Sequence, residues 1–406
     1  MTSQTASSIW RSNWMPILIM GALMVSITMG VRQSFALFLL PISAEIGEGR
    51  SVFSFAIAVQ NLMWGLASPI FGAMADRYGA KPVALAGGAI YMTGMVIMAG
   101  LVTPAGLILA QALVGMGLAS AGISIALGAV ARATPRHQQA LALGLVTSFG
   151  SFGQFLMVPI SQLFIDGFGW QIALVLMAGM SGGIIASAYF LRADSAQDTA
   201  KTADLAKLKS TDMLGVALRS QNYILLTVGF FVCGIQVVFI GTHLPTYLRD
   251  MGMSSEIASW SLSLIGLFNI IGSFLCGWLG GIYSKRKVLA LVYLLRSVFI
   301  IAFISLPASP ATALIFGAGI GLLWLGTIPL TSGLIVTFFG PAHLSMLYGV
   351  AFLSHQIGSF LGAWLGGFLY DISATYTVMW WLSILTGLFA FIVNWLITEQ
   401  EEGQKA

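Results

Sequence analysis

The stretch GAMADRYGAK, residues 72–81, joins two long apolar runs and carries one acid and two bases. A related stretch, GWLGGIYSKR, occupies residues 277–286, about 205 positions later. Three further pairs of short motifs keep nearly the same offset: LLP at 39–41 with HLP at 243–245, PRH at 135–137 with PAH at 341–343, and FID at 164–166 with LYD at 369–371. Repeats that stay in register along the chain predict two copies of one six-helix unit, arranged as parallel repeats.

The composition is typical of a membrane protein. The chain of 406 residues is 58% hydrophobic and 8% charged, with a mean hydropathy of +0.92, whereas a soluble domain carries about 25% charged residues. A helix needs about 20 apolar residues to cross a bilayer. The sequence therefore predicts an all-α membrane protein with twelve transmembrane helices, at about 14–41, 52–75, 83–103, 105–131, 139–165, 170–191, 220–247, 256–281, 288–306, 311–334, 344–370 and 375–397.

The positive charges are distributed unevenly over the connections between these helices. Fourteen of the 18 lysines and arginines lie at the chain ends or in the connections from even-numbered to odd-numbered helices, and only Arg50 and Arg249 lie on the other side. Because lysine and arginine collect on the cytoplasmic side, we expect both termini in the cytoplasm of a multi-pass protein of the cell (inner) membrane. No signal-peptide cleavage site is evident before the first helix, which is expected to be retained.

The helix pattern also predicts the domain organisation. Residues 1–192 are expected to form one six-helix bundle and residues 214–406 a second, pseudo-symmetric one. Between them, residues 193–213 are polar and rich in charge, which indicates a cytoplasmic linker.

The motif at 72–81 resembles the signature G-x-x-x-D-R-x-G-R/K-x of the major facilitator superfamily, with Gly72, Asp76, Arg77, Gly79 and Lys81 at its positions. The resemblance covers essentially the whole chain and implies the fold of that superfamily, whose two bundles rock around a central site. It also implies that Asp76, Arg77 and Lys81 form a gate latch that stabilises the outward-open state. The alternative is that these residues only set the topology. The copy at 277–286 lacks the acid, so a latch there is expected to be weaker.

A finer resemblance is to the monocarboxylate-transporter-like and oxalate/formate-antiporter-like branches. It rests on GVRQSFALFLLPI at 30–42, THLPTYLRDMG at 242–252 and YGVAFLSHQIGSFLGAWLGGFLYD at 348–371. One departure matters, because Asn269 and Ser273 stand where animal monocarboxylate transporters carry an Asp and an Arg. The proton-plus-lactate mechanism built on that pair is therefore not transferred to this chain.

Two arginines, Arg32 and Arg296, lie inside predicted helices. Each costs about 2.5–3.5 kcal/mol at a helix centre, and none of the 14 acidic residues lies at the centre of a span. A guanidinium can hold a carboxylate through two charge-assisted hydrogen bonds, so we expect both arginines to contact a bound organic anion. The alternatives are that Arg32 extends to the outer interface and that Arg296 caps carbonyls of a neighbouring helix.

Further candidates for substrate binding are polar or amphipathic side chains in the helices that line the cavity of the superfamily. Gln236 is the repeat counterpart of Arg32. For any single side chain the alternative is a hydrogen bond between helices. The set consists of Gln60, Asn61, Gln154, Gln236, Asn269, Trp324, Tyr348, His355 and Gln356.

His355 and His243 are the conventional proton carriers that remain inside the predicted helices, because imidazole titrates near neutrality. The alternative for each is a neutral hydrogen-bonding role. Proton symport, anion exchange and uniport therefore all stay open as transport modes.

No nucleotide-binding, metalloprotease, paired-cysteine or nucleophile-elbow motif is found in the sequence, so neither an enzyme nor a cofactor or metal site is predicted, and nucleic acid is not an expected partner. We expect a monomeric secondary active transporter for a small organic anion, a mono- or dicarboxylate. The main alternative is an efflux carrier of the same fold for drugs and other amphiphiles, and a second is a transporter-like receptor that binds a ligand without moving it.

Overall fold

The structure is a computed structural model that describes residues 14–135, 138–191, 213–340 and 343–399. Within these residues, twelve helices are long and apolar enough to cross a membrane, as the sequence predicts. The helices are α1 (Met15–Ile46), α2 (Arg50–Tyr78), α3 (Ala80–Gly100), α4 (Pro104–Ala133), α5 (Gln139–Phe168), α6 (Trp170–Tyr189), α7 (Gln221–Asp250), α8 (Ser255–Ile282), α9 (Lys285–Ser305), α10 (Pro310–Phe339), α11 (Leu344–Ser373) and α12 (Thr377–Leu396). Apart from Met213, the predicted linker at 193–213 lies outside the described residues.

Several helix ends are set by residues with a clear local role. Gly79 and Gly169 have φ angles of 90° and 81° and end α2 and α5, because only glycine adopts such angles without strain. Ser254 and Ser309 cap the N-termini of α8 and α10 with their hydroxyl groups, which satisfies N–H groups that the helix itself leaves free.

Two helices are broken at equivalent positions of the repeat. α4 is interrupted at Gly122, and α10 is interrupted at 323–326, between the half-helices Pro310–Leu322 and Thr327–Phe339. In α10, Pro329 has no N–H to offer the carbonyl four residues earlier, which weakens the helix just before it. A break inside a membrane is tolerated only where the freed backbone groups find partners within the protein.

The first six helices and the last six each form a bundle, which we call the N half and the C half. In the N half, α1 packs on α5 and α3 packs on α4 and α6; in the C half, α7 packs on α11 and α9 on α12. The halves meet where α2 packs on α11 and α5 packs on α8. A central site between the halves is therefore lined by helices of both.

The contact between α7 and α11 is so close that it requires glycine. A Cβ atom on Gly358 would lie 2.0 Å from the carbonyl oxygen of Phe231, and one on Gly234 would lie 2.0 Å from that of His355. Backbone atoms cannot move aside as a flexible side chain can, so a methyl group at either position would force the helices apart.

We therefore expect Gly358→Ala to lower the free energy of unfolding by about 1–3 kcal/mol, the usual cost of overpacking a core. Gly182→Ala in α6 is the matched control, because a Cβ there meets no atom within 4 Å and alanine is the better helix former by about 1 kcal/mol. Thermal unfolding in detergent measures both. Equal melting temperatures for the two variants would contradict the close approach.

Candidate functional site

A small, partly open cavity lies between the N half and the C half. Its polar side chains, apart from Thr242, come from α1 and α2, whereas its apolar side chains come from both halves. The lining residues are Arg32, Gln33, Phe35, Ala36, Ile57 and Gln60 from the N half, and Val237, Val238, Gly241, Thr242 and Trp324 from the C half.

Arg32 points into this region. Its Nη2 donates to Oδ1 of Asn61 at 2.7 Å, and its guanidinium lies 5.1 Å from the ring centroid of Trp64. Asn61 is itself held by a hydrogen bond from its Nδ2 to the carbonyl of Ile57 at 2.8 Å. The Nε of Arg32 is buried and has no hydrogen-bond partner among the described residues. The guanidinium is thus oriented by α2, and its Nε has no partner in a side chain that lines the cavity.

Gln33, which is not among the residues predicted from the sequence, supplies a second donor without a partner. Its Oε1 accepts a hydrogen bond from Nε2 of Gln154 at 3.5 Å, while its own Nε2 is buried without a partner in the described structure. Gln60 is turned toward α4, where its Nε2 donates to Oε1 of Gln111 at 2.9 Å. The position of Gln33 next to Arg32 in an otherwise apolar run was the signal available in the sequence.

Arg296 lies elsewhere. It is 1% exposed, and its N–H groups are directed at the main-chain carbonyls of Leu323 and Trp324 and at the side chains of Cys233 and Gln236. This geometry is that of the alternative considered from the sequence, in which Arg296 caps carbonyls of a neighbouring helix. We therefore keep Arg32 alone as the proposed anion ligand.

The predicted residues of α11 gather against α2 and α7. Nε2 of Gln356 donates to the carbonyl of Asn61 at 3.0 Å, which joins the two halves next to Arg32. Nδ1 of His355 lies 3.1 Å from Oε1 of Gln356. The rings of His355 and Tyr348 both pack on Phe230, with centroid distances of 4.7 Å and 5.9 Å.

Asn269 and Gln236 take part in hydrogen bonds between helices. Nδ2 of Asn269 donates to Oγ of Ser151 in the N half at 2.8 Å, and its Oδ1 accepts from the main-chain N–H of Leu325 at 3.0 Å. Nε2 of Gln236 donates to the carbonyl of Ser383 at 2.8 Å. The described hydrogen bonds of both residues therefore join neighbouring helices.

A network that was not predicted from the sequence joins the halves at the start of α2, the end that the charge distribution predicts to be external. Arg50 binds Asp250 through two hydrogen bonds of 2.6 Å and 2.7 Å, and its guanidinium stacks 3.6 Å from the ring centroid of Tyr370. Asp371 accepts hydrogen bonds from the main-chain N–H groups of Arg50 and Ser51 at 2.8 Å and 2.9 Å. We call Arg50, Asp250 and Asp371 the outer clamp.

His243 is connected to the outer clamp through the hydroxyl of Tyr376. Its Nδ1 is 3.0 Å from the hydroxyl of Tyr376 and its Nε2 is 2.9 Å from the carbonyl of Ala363. Arg50 also donates to the Tyr376 hydroxyl at 3.2 Å, and burial raises the pKa of Tyr376 above its ordinary value. The phenol therefore keeps its proton and can donate it to Nδ1, which satisfies both ring nitrogens of a neutral His243.

The predicted gate latch lies at the opposite end, and its described contacts stay within the N half. Oδ1 of Asp76 lies 3.4 Å from Nη1 of Arg132. Arg77 stacks on the ring of Tyr78 and Lys81 on the ring of Tyr189, with centroid distances of 5.2 Å and 4.1 Å. A role in gating therefore stays a prediction for these residues.

Comparison with known proteins matches the chain to one family over most of its length. The family model described as Major Facilitator Superfamily matches residues 18–326 and 226–406. Monocarboxylate transporter 13 of Rattus norvegicus is 24% identical over 87% of this chain and 81% of its own length. The uncharacterised MFS-type transporter YcxA of Bacillus subtilis (strain 168) is 25% identical over 86% of each chain.

A solved structure shows the same fold. The D-xylose-proton symporter superposes with a TM-score of 0.73 over 95% of this chain and 98% of that chain, at 14% sequence identity. The twelve apolar helices, the family match and the relatives together identify a multi-pass membrane transporter, which is not an enzyme. The chain belongs to the Major Facilitator Superfamily, and its curated relatives confirm the resemblance to the monocarboxylate-transporter-like branch.

Proposed function

We propose that this protein is a secondary active transporter for small monocarboxylates in the cell inner membrane, and that Arg32 binds the carboxylate. The observation that carries the proposal is the buried Nε of Arg32, which has no partner among the described residues and belongs to a side chain that lines the cavity between the halves. A buried cation without a counter-charge is costly. A bound carboxylate would supply that charge and accept the free hydrogen bond.

The rest of the cavity favours one carboxylate over two. Gln33 offers a neutral N–H donor on the same wall, whereas Phe35, Ile57 and Val237 offer an apolar surface to the body of the ligand. The other intramembrane arginine, Arg296, is occupied by main-chain carbonyls. A second carboxylate would therefore meet no second cation in the described lining.

Alternating access would follow from the outer clamp and the gate latch. The outer clamp holds the halves together at the predicted external end, and the latch residues Asp76, Arg77 and Lys81 would engage when the protein opens there. Rocking of the two halves around Arg32 then exposes the site to each side in turn.

The experiment that tests substrate class is thermal stabilisation of the purified protein in detergent. A ligand present at about 100 times its Kd adds roughly 2.7 kcal/mol to the free energy of unfolding. We expect stabilisation by monocarboxylates such as acetate, pyruvate and L-lactate, and little by tricarboxylates, neutral amides or cationic drugs. Stabilisation by the cationic drugs alone would favour an efflux carrier for amphiphiles, to which the apolar wall is also suited.

Proton symport and anion exchange are both compatible with a single arginine, and we propose His355 as the proton carrier of the first mode. His243 is already satisfied as a neutral ring by Tyr376 and Ala363. His355 lies beside Gln356, which contacts the backbone of Asn61, the partner of Arg32.

In proteoliposomes we expect an inward-directed proton gradient to accelerate pyruvate uptake by the wild type and not by His355→Gln. Exchange of labelled for unlabelled pyruvate at equal pH is the control and should persist in the variant. A wild type that ignores the gradient would exclude proton symport and leave anion exchange or uniport. A variant that still responds to the gradient would exclude His355 as the carrier.

A further inference from the structure

Arg296 is a buried cation whose hydrogen-bonding capacity is fully used. Its Nε and Nη2 donate to the carbonyl of Leu323 at 2.9 Å and 2.6 Å, and Nη2 also donates to the carbonyl of Trp324. Its Nη1 donates to Sγ of Cys233 at 3.3 Å and to Oε1 of Gln236 at 3.4 Å. A guanidinium has five N–H groups, so these contacts leave none of them for a substrate.

The acceptors of Arg296 lie at the break in α10. The half-helix Pro310–Leu322 ends in a tightened turn, in which the N–H groups of Leu323 and Trp324 bond to the carbonyls of Ile320 and Gly321, both at 3.0 Å. The C-terminal end of a helix carries a partial negative charge of about half an electron. Arg296 is thus neutralised in part by carbonyl dipoles, which explains how the membrane interior tolerates it without a carboxylate.

The segment that Arg296 holds also contributes to the transport cavity. Trp324 lines the cavity together with Arg32. The next residue, Leu325, donates its N–H to Asn269, which in turn donates to Ser151 of the N half. The conformation of this short segment therefore sets both a wall of the cavity and a contact between the halves.

We propose that Arg296 is a positioning residue that fixes the break in α10, so that Trp324 forms the cavity wall and Leu325 remains bonded to Asn269. Arg296 acts on binding through Trp324 and does not contact the substrate. The effect on carboxylate binding rests on the proposed function, whereas the fixing of the α10 break does not. The two parts are tested by separate measurements.

Backbone hydrogen exchange of the ligand-free protein tests the first part. In Arg296→Gln we expect faster exchange in the peptide covering 323–328, whose amides bond to neighbouring carbonyls and to Asn269. The peptide around the break in α4, at Gly122, is the internal control and should be unchanged. Arg296→Lys is measured beside it, because an ammonium keeps the charge but cannot reproduce the planar fork, and it provides a second variant should the first misfold.

A double-mutant cycle on the Kd for pyruvate tests the second part. We expect Arg296→Gln and Trp324→Ala each to raise Kd by about fivefold or more, and the double variant to be no worse than Trp324→Ala alone within about twofold, because residues that act through one contact are not additive. Independent, multiplying effects would overturn a role through Trp324.

Other combinations of results would each overturn one part of the proposal. Unchanged exchange at 323–328 in both variants would overturn the fixing role. Unchanged exchange combined with complete loss of pyruvate binding would make Arg296 a direct ligand. If the wild type binds no carboxylate at all, the proposed function fails, and the exchange measurement alone decides whether Arg296 fixes the break.

Discussion

Arg32→Gln is expected to weaken binding of pyruvate or L-lactate by at least about a hundredfold, since removing one partner of a buried ion pair costs about 3–5 kcal/mol. Glutamine is close to arginine in length and can still bond to Asn61, which accepts from Arg32 in the wild type. It carries no charge and lacks the fork that holds a carboxylate. Isothermal calorimetry or ligand-dependent melting measures the change.

Two further variants separate charge from geometry and from general damage. Arg32→Lys keeps the charge without the fork, so we expect an affinity between those of the wild type and of Arg32→Gln. Arg249→Gln removes an arginine outside the described cavity lining, where Nη1 bonds to the carbonyl of Met253. This control is expected to leave Kd within about twofold, as for independent distant sites. Equal losses in Arg32→Gln and Arg249→Gln would contradict a binding role for Arg32.

Arg50→Gln is expected to open the predicted external end of the protein. The substitution removes the two hydrogen bonds to Asp250 and the stacking on Tyr370. Hydrogen bonds to charged groups contribute about 1.5–3 kcal/mol each, less where water reaches them. Because these contacts join the two halves, their loss favours the state in which the halves are apart at this end. We expect the population of that state to rise by about tenfold or more.

Spin labels at Glu48→Cys and Met251→Cys report this change as a distance across the outer clamp. Both positions are exposed, and the native Cys233 and Cys276 are buried. Asp166→Asn is the matched control, because this acid at the end of α5 accepts its hydrogen bond from Gln162 of its own helix. A distance distribution that is unchanged in Arg50→Gln would show that the outer clamp does not govern opening.

Much of the architecture could be predicted from the sequence because lipid imposes strong rules. Each helix must be long and apolar, and the repeat at 72–81 and 277–286 fixes the relation of the halves. The twelve predicted helices are confirmed, with ends that differ by a few residues where caps decide them, as at Gly79. The division at the linker stays a prediction, since residues 192–212 lie outside the described structure.

The candidate site was harder to predict because the same residue type can serve opposite purposes. Arg32 and Arg296 look alike in sequence, yet Arg32 lines a cavity and has a donor without a partner in the described structure, whereas Arg296 directs all its donors at the break in α10 and at two side chains of α7. The difference lies in the tertiary structure, because the broken helix α10 presents main-chain carbonyls to Arg296. The outer clamp was missed for a related reason, because Arg50 and Asp371 are 321 residues apart in the chain.

Counterflow in proteoliposomes tests most directly whether Arg32 binds the monocarboxylate that the protein transports. Vesicles loaded with unlabelled pyruvate are diluted into a trace of labelled pyruvate, and the internal label is followed with time. We expect transient accumulation by the wild type and by Arg249→Gln, and none by Arg32→Gln reconstituted at equal density. Accumulation by Arg32→Gln equal to that of the wild type would contradict a binding role for Arg32.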